Sequence, residues 1–199
     1  MSHSTRKLLP SLTAILCGGT LALNCLVVVN AQAQQSESKP GELNHANPGG
    51  TVKLMAKEVE FVKKAGAGNA AEIKLAQLAL HNGESQEVKD FANMMVKDHT
   101  AANDDLAAVA KNHNIEFPPK ETAEQKATYE RLSKLKGAAF DKAYMADAVV
   151  DHTKDVAEYK EAQGMAKDEK LVAYVNKVEP IVAGHLQHAK DAKAKVGGA

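Results

Sequence analysis

Between Val88 and Ala110 the chain alternates apolar and polar residues with a helical period. Val88, Ala92, Met95, His99, Ala102, Leu106 and Val109 recur at steps of four and three, which lays one apolar stripe along an amphipathic helix. Two later segments repeat the pattern. Met145, Val149, His152, Val156 and Tyr159 form a second stripe, and Leu171, Val175, Val178, Val182, His185, Ala189 and Ala192 a third. Each stripe carries one histidine on the face its helix must bury. Upstream, Phe61, Ala65, Gly68, Glu72, Leu75 and Ala79 make a fourth stripe with a carboxylate in the same kind of position.

Punctuation between the stripes sets the helix limits. The first helix is expected to start near Thr51, whose hydroxyl can cap it. Gly66-Ala67-Gly68 predicts a kink or break, with Asn69 capping a restart. Asn82-Gly83 ends this segment, and Ser85 caps a second helix that runs to about Asn112. Asn114 to Pro119 then interrupts, because Pro118 and Pro119 cannot continue a helix. Glu121 to Leu135 reads as a short polar helix. A third long helix follows from Ala138 to about Gly164, then a turn at Lys167-Asp168, and a fourth from about Glu169 to Lys195. Pro180 is expected to kink that helix or force an irregular turn.

Long helices of about 28 residues measure about 40 Å, and the roughly two dozen residues between the second and third can cross that length. An up-down-up-down bundle needs no such link. The pattern therefore predicts an all-α fold over residues 51–196: a ferritin-like four-helix bundle with a long crossover, containing a short helix, between the second and third long helices.

The segment before the bundle differs in kind. Arg6 and Lys7 precede a largely apolar run, Leu8 to Val29, and Ala31-Gln32-Ala33 has the small-x-small form of a signal-peptidase site. Residues 1–33 read as a signal peptide, in preference to an uncleaved anchor, since Pro10, Gly18, Gly19 and Asn24 interrupt the run. Gln34 to Gly50 is polar and rich in Pro, Gly, Ser and Asn, and residues 34–50 read as a flexible linker. Export to the periplasm or cell envelope of a bacterium is expected, with no stable membrane span after cleavage. Both cysteines, Cys17 and Cys25, lie in the leader, so the mature chain has neither a disulfide nor a thiolate ligand. Loss of Arg6 and Lys7 turns 25 basic against 25 acidic residues into 23 against 25, a charge near −2. No basic excess points to a nucleic-acid partner.

The chemistry lies in the stripes. Glu72, His99, His152 and His185 supply one ligand-capable residue per long helix, and imidazole with carboxylate suits zinc, copper or iron. Their distances from the helix ends are compatible with one level of an antiparallel bundle. Two readings stand side by side: a single-metal site, or a buried hydrogen-bonded network that fixes helix register. Asp98 and Asp151 precede two of the histidines, giving Asp-His-Thr twice. They read first as boundary salt-bridge partners, and second as outer hydrogen-bond acceptors for a histidine on another helix. Met95 reads as core packing before copper ligation, and His188, at its stripe's margin, ranks below His185. His3, His81 and His113 read as peripheral or processed, and His45 as a solvated loop residue. No Glu lies three before a histidine of the stripes, so the Glu-x-x-His pair of bundle di-iron enzymes is missing from the helices. No nucleophile elbow or phosphate loop is found either. An enzyme is not the expected reading, and a redox enzyme ranks third behind a metal-binding protein and a non-metal interaction or stress-related module.

The segments AEIKLAQLAL, FANMMVKDHTAANDDLAAVAKNHNIEFP, GAAFDKAYMADAVVDHTKDV and PIVAGHLQHA together resemble the exported ferritin-like bacterial proteins of domain-of-unknown-function family 4142. The likeness covers roughly Thr51 to Ala192. Its specific element is the RMVxDHT-like stretch, in which Met94 stands where the family often has arginine. The resemblance implies a signal peptide, a ferritin-like bundle and an envelope location, and it implies no reaction.

Overall fold

Five helices account for the order of the chain: α1 (Ala56–Asn82), α2 (Gln86–Asn112), α3 (Ala123–Ser133), α4 (Gly137–Met165) and α5 (Glu169–Gly197). The structure is a computed structural model and describes residues 53–198. The expected signal peptide, linker and Thr51 cap fall outside the described residues, as do His3 and His45. Among the described residues there is no strand, and no helix is long and apolar enough to cross a membrane.

The four long helices pair as α1 with α2 and α4 with α5, and the pairs close with α2 against α5 and α1 against α4. Neighbours run antiparallel throughout. The start of α4 meets the start of α2, through Asp141 and Ser85. The end of α4 meets the start of α1, through Lys167 and Glu58. That arrangement requires the link from α2 to α4 to travel the length of the bundle, and α3 lies on this link, packed on α1 and α4. This is the ferritin-like connectivity that the loop lengths predict.

Most boundaries follow local chemistry. Ser85 Oγ accepts the Val88 N–H at 3.3 Å, and Asp168 Oδ1 accepts the Lys170 and Leu171 N–H groups at 3.0 Å each. Three expectations about helix limits are corrected: the start near Thr51, the break at Gly66-Ala67-Gly68 and the irregular turn at Pro180. α1 begins at Ala56, and the carboxylate of Glu58 reaches back to the Met55 N–H at 2.7 Å. α1 also runs through Gly66-Ala67-Gly68 without a break. Gly66 serves close packing instead: a Cβ there would lie 2.6 Å from Phe117 Cε2 and 3.0 Å from Pro119 Cδ, so the crossover rests directly on the helix backbone. Likewise, α5 continues from Glu169 to Gly197 with Pro180 inside it, and no irregular turn forms.

The two glycines of α1 should therefore respond oppositely to alanine. Gly68→Ala meets nothing within 4 Å and should stabilise by roughly 0.5–1 kcal/mol through helix propensity. Gly66→Ala forces Phe117 and Pro119 to move and should cost about 1–3 kcal/mol. Urea titrations of both variants measure this, and equal signs would contradict the packing role of Gly66.

Two apolar clusters fill the bundle, one toward each end. The first joins Phe61 and Val62 to Leu106, Val109, Tyr159, Leu171 and Val178. The second joins Leu75 and Ala79 to Phe91, Met95, Phe140, Met145 and Ala189. On every long helix the residues between these clusters are the polar ones: Asn69 and Glu72 on α1, His99 on α2, His152 on α4, and His185 on α5. All five are buried, forming a polar layer across the middle of an otherwise apolar core.

Candidate metal centre

A histidine in an apolar core needs partners for two ring nitrogens. In this layer each imidazole has one partner. His99 Nδ1–H donates to Asn69 Oδ1 at 2.9 Å, and the Asn69 amide in turn donates to the Tyr174 hydroxyl at 3.4 Å. The Tyr174 hydroxyl is itself hydrogen-bonded to that of Tyr159 at 2.8 Å. His152 Nδ1–H donates to the Ala148 carbonyl one turn earlier at 2.9 Å. His185 Nε2–H donates to Asp98 Oδ2 at 3.0 Å.

The other nitrogens, His99 Nε2, His152 Nε2 and His185 Nδ1, are buried and have no hydrogen-bond partner among the described residues. With the opposite nitrogen of each ring acting as donor, each carries an unprotonated lone pair in the neutral imidazole. The ring centroids stand 5.2 Å (His99–His185), 5.5 Å (His152–His185) and 5.9 Å (His99–His152) apart. One ligand atom from each lies within 4.8 Å of the others. Nitrogens on a single tetrahedral ion at about 2.0–2.1 Å are roughly 3.3 Å apart. A rearrangement on the order of an ångström therefore converts this triangle into three metal ligands.

Electrostatics keeps the rings in their ligating form. Burial pushes His99 well below its usual range, and the neighbouring His185 and His152 charges push the same way. Burial also lowers His152, and lowers His185 against the opposing pull of Asp98. All three are neutral at pH 7.

The four residues singled out from the stripes separate into two overlapping groups. The three histidines form one. Glu72 falls in the other, with His152 and Asp155, whose ligand atoms also lie within 4.8 Å of one another. Burial, followed by the charges of Asp151 and Asp147, pushes the Glu72 carboxyl up to about 8. Burial and the Glu72 charge push Asp155 up to about 7.

Asp98 holds a histidine of another helix, the role ranked second for it in the sequence. Asp151 stays with its own turn, 3.6 Å from Lys154, and bonds no histidine. Met95 is fully buried in the second apolar cluster, and His188 is exposed. His113 is not peripheral: its side chain is buried and Nε2 lies 3.2 Å from Asp168 Oδ2, at the cap of α5.

Two participants escape the sequence pattern. Asn69 reads as a cap because glycine precedes it, yet it lies one turn before Glu72 on the buried face. Asp155 lies one turn after His152, and that i, i+3 spacing is the signal that could have found it. A third residue, Tyr144, buries a hydroxyl without a partner among the described residues, and the Glu72 charge adds to the effect of burial in raising its pKa.

Residues 44–192 match the family described as Domain of unknown function (DUF4142). The chain belongs to that family. No curated protein matches it. Among solved structures, the DUF4142 fold is similar to a DUF305 fragment from Deinococcus radiodurans, with 14% identity and a TM-score of 0.65, covering 72% of this chain and 99% of that one. It is also similar to a putative spore coat protein from Bacillus halodurans C-125, with 12% identity and a TM-score of 0.60, covering 73% and 91%. At these identities the likeness is one of fold. It places the DUF4142 chain among helical bundles.

Proposed function

We propose that this protein is an exported envelope protein that binds one divalent transition-metal ion through His99, His152 and His185, and that it stores, buffers or senses that ion. A single observation carries the reading: three buried imidazoles on three helices bring ligand atoms within 4.8 Å of one another, and each keeps one ring nitrogen unpartnered among the described residues while the other is tied to a protein acceptor. Such outer hydrogen bonds fix the tautomer and raise the basicity of metal-bound histidines.

A purely structural network accounts for the layer less well. It would leave three buried acceptors without donors, each costing about 1–3 kcal/mol. Imidazole donors favour zinc, copper or iron over magnesium or calcium. Export rests on the leader sequence, with cleavage proposed after Ala33.

Metal content after chelation and separate back-loading with zinc, copper and iron tests the proposal. We expect close to one ion per chain, a higher melting temperature on loading, and loss of both in His99→Ala and His152→Ala. Metal-free wild type after every loading, with the variants merely less stable, would leave only a structural role. N-terminal sequencing of protein recovered from the bacterial envelope should begin at Gln34.

A further inference from the structure

A cleft of about 270 Å³ opens beside the histidine layer, lined by parts of α1 and α4 and by the start of α3. Five carboxylates line it, those of Glu72, Glu124, Asp151, Asp155 and Glu158, against two lysines, Lys64 and Lys154. Both lysines are engaged near the surface. Lys64 pairs with Glu158 at 2.6 Å, and Lys154 bridges Asp151 at 3.6 Å and Glu124 at 4.0 Å.

Glu72 and Asp155 are not neutralised in this way. Glu72 is only 8% exposed, and neither carboxylate accepts a hydrogen bond from a described residue. His99 also lines the cleft, and His152 and His185 are not among its lining residues.

His152 belongs to both ligand groups. Its Nδ1–H is committed to Ala148, so only Nε2 can bind a metal. One imidazole nitrogen serves one ion at a time. The two groups are therefore two positions for a single ion, joined at His152.

We infer that a divalent cation reaches the three histidines along this cleft through a first position formed by Glu72, Asp155 and His152. This rests on the three-histidine reading and extends it. Carboxylate oxygens suit a cation that still carries water, and imidazole nitrogens then hold the borderline-soft ion more selectively. The transfer is ligand exchange without redox chemistry. The two carboxyls give up any proton they hold to the cleft water as the ion binds; water and the carboxylates then leave the ion as His99 and His185 bind, the carboxylates take protons back from that water, and His152 stays attached.

Stopped-flow uptake of Co²⁺ by the metal-stripped full chain, followed by the visible absorption of the bound ion, tests this. The Glu72→Gln/Asp155→Asn double variant is nearly isosteric, and its fold is checked by circular dichroism. It should bind the same one Co²⁺ with the same final spectrum, but at least tenfold more slowly and with a weaker salt dependence. Asp90→Asn, outside the cleft, should bind at the wild-type rate. Equal rates in double variant and wild type would overturn the route. A changed final spectrum or lost stoichiometry in the double variant would make the carboxylates permanent ligands and overturn the relay. With equal rates the three-histidine site would stand, and with permanent carboxylate ligands it would stand only if His99→Ala also lost the ion. Absence of Co²⁺ binding by wild type would remove site and route together.

Discussion

Glu58→Ala should destabilise the protein by roughly 3–5 kcal/mol, although Glu58 lies far from the histidines and at the very start of a helix. Its carboxylate is 1% exposed. One oxygen accepts the Met55 N–H at 2.7 Å, and the other accepts the Lys167 N–H at 2.7 Å and the Asp168 N–H at 3.4 Å. It thus holds the start of α1 and the α4–α5 turn together. Hydrogen bonds to a charged group contribute about 1.5–3 kcal/mol each, and alanine removes the acceptor while leaving the donors in place. Asp141 has the reciprocal position. From α4 it accepts the Ser85 N–H at 2.8 Å and the Glu84 N–H at 3.1 Å, tying down the α1–α2 turn. Each helical hairpin therefore has its turn held by a buried carboxylate from the other hairpin.

Asp141→Ala should cost a similar amount. The two losses should add in the double variant, because the sites lie at opposite ends and share no partner. Glu58→Gln keeps one acceptor oxygen and should lose about half as much. Urea midpoints at unchanged m-value measure all of these effects. Losses below about 1 kcal/mol would mean that apolar packing alone holds the hairpins together.

The second large effect is a pH dependence of the metal-free protein with opposite contributions from the two kinds of buried group. Glu72 is raised from its usual 4.5 to about 8, first by burial and then by Asp151 and Asp147. Its folded form binds the proton more tightly than the unfolded chain does. Its contribution is fully present below about pH 4.5 and is lost as pH rises through about 8. Asp155, raised to about 7 by burial and by Glu72, has the same sign.

The histidines act in reverse. Burial lowers all three, so their contribution is present above about pH 6.5 and is lost as acid protonates the unfolded chain. The metal-free protein should consequently be most stable near pH 6–7 and weaken on both sides. Glu72→Gln isolates the carboxylate contribution, since glutamine mimics the protonated acid. In the presence of chelator, the variant should match wild type near pH 4.5 and exceed it by roughly 2–5 kcal/mol at pH 8.5, each tenfold change in proton affinity being worth about 1.4 kcal/mol. Stability measured by urea at a series of pH values decides the matter. Parallel curves for the two proteins would show that Glu72 ionises freely in the folded state.

Much of this architecture is legible in the amino-acid sequence. The steps of four and three identify buried helix faces because side-chain direction along a helix repeats every 3.6 residues, a local property of the chain. Ser85, Asn82-Gly83 and Pro118-Pro119 mark boundaries because capping and the missing proline N–H act within a turn. Loop length distinguishes the crossover from a simple up-and-down bundle, and the same stripes put three histidines and Glu72 on buried faces. Gly66 misleads because glycine in a helix signals weakness locally, whereas here it makes room for Phe117, about fifty residues away in the chain.

What the tertiary structure decided is everything that depends on height along the bundle and rotation about each side chain. Periodicity states which face a residue occupies, but how far one helix slides against the next is set by the turns, the crossover and the packing of two apolar clusters. That sliding brings the three imidazoles to one level and divides Glu72 from His99 and His185 while giving it Asp155. Which ring nitrogen is left free to ligate follows from acceptors on other turns and helices, Asn69, Ala148 and Asp98, and no spacing in the chain encodes those choices. The crossed carboxylates Glu58 and Asp141 belong to the same class, since each satisfies backbone groups more than fifty residues away in the chain.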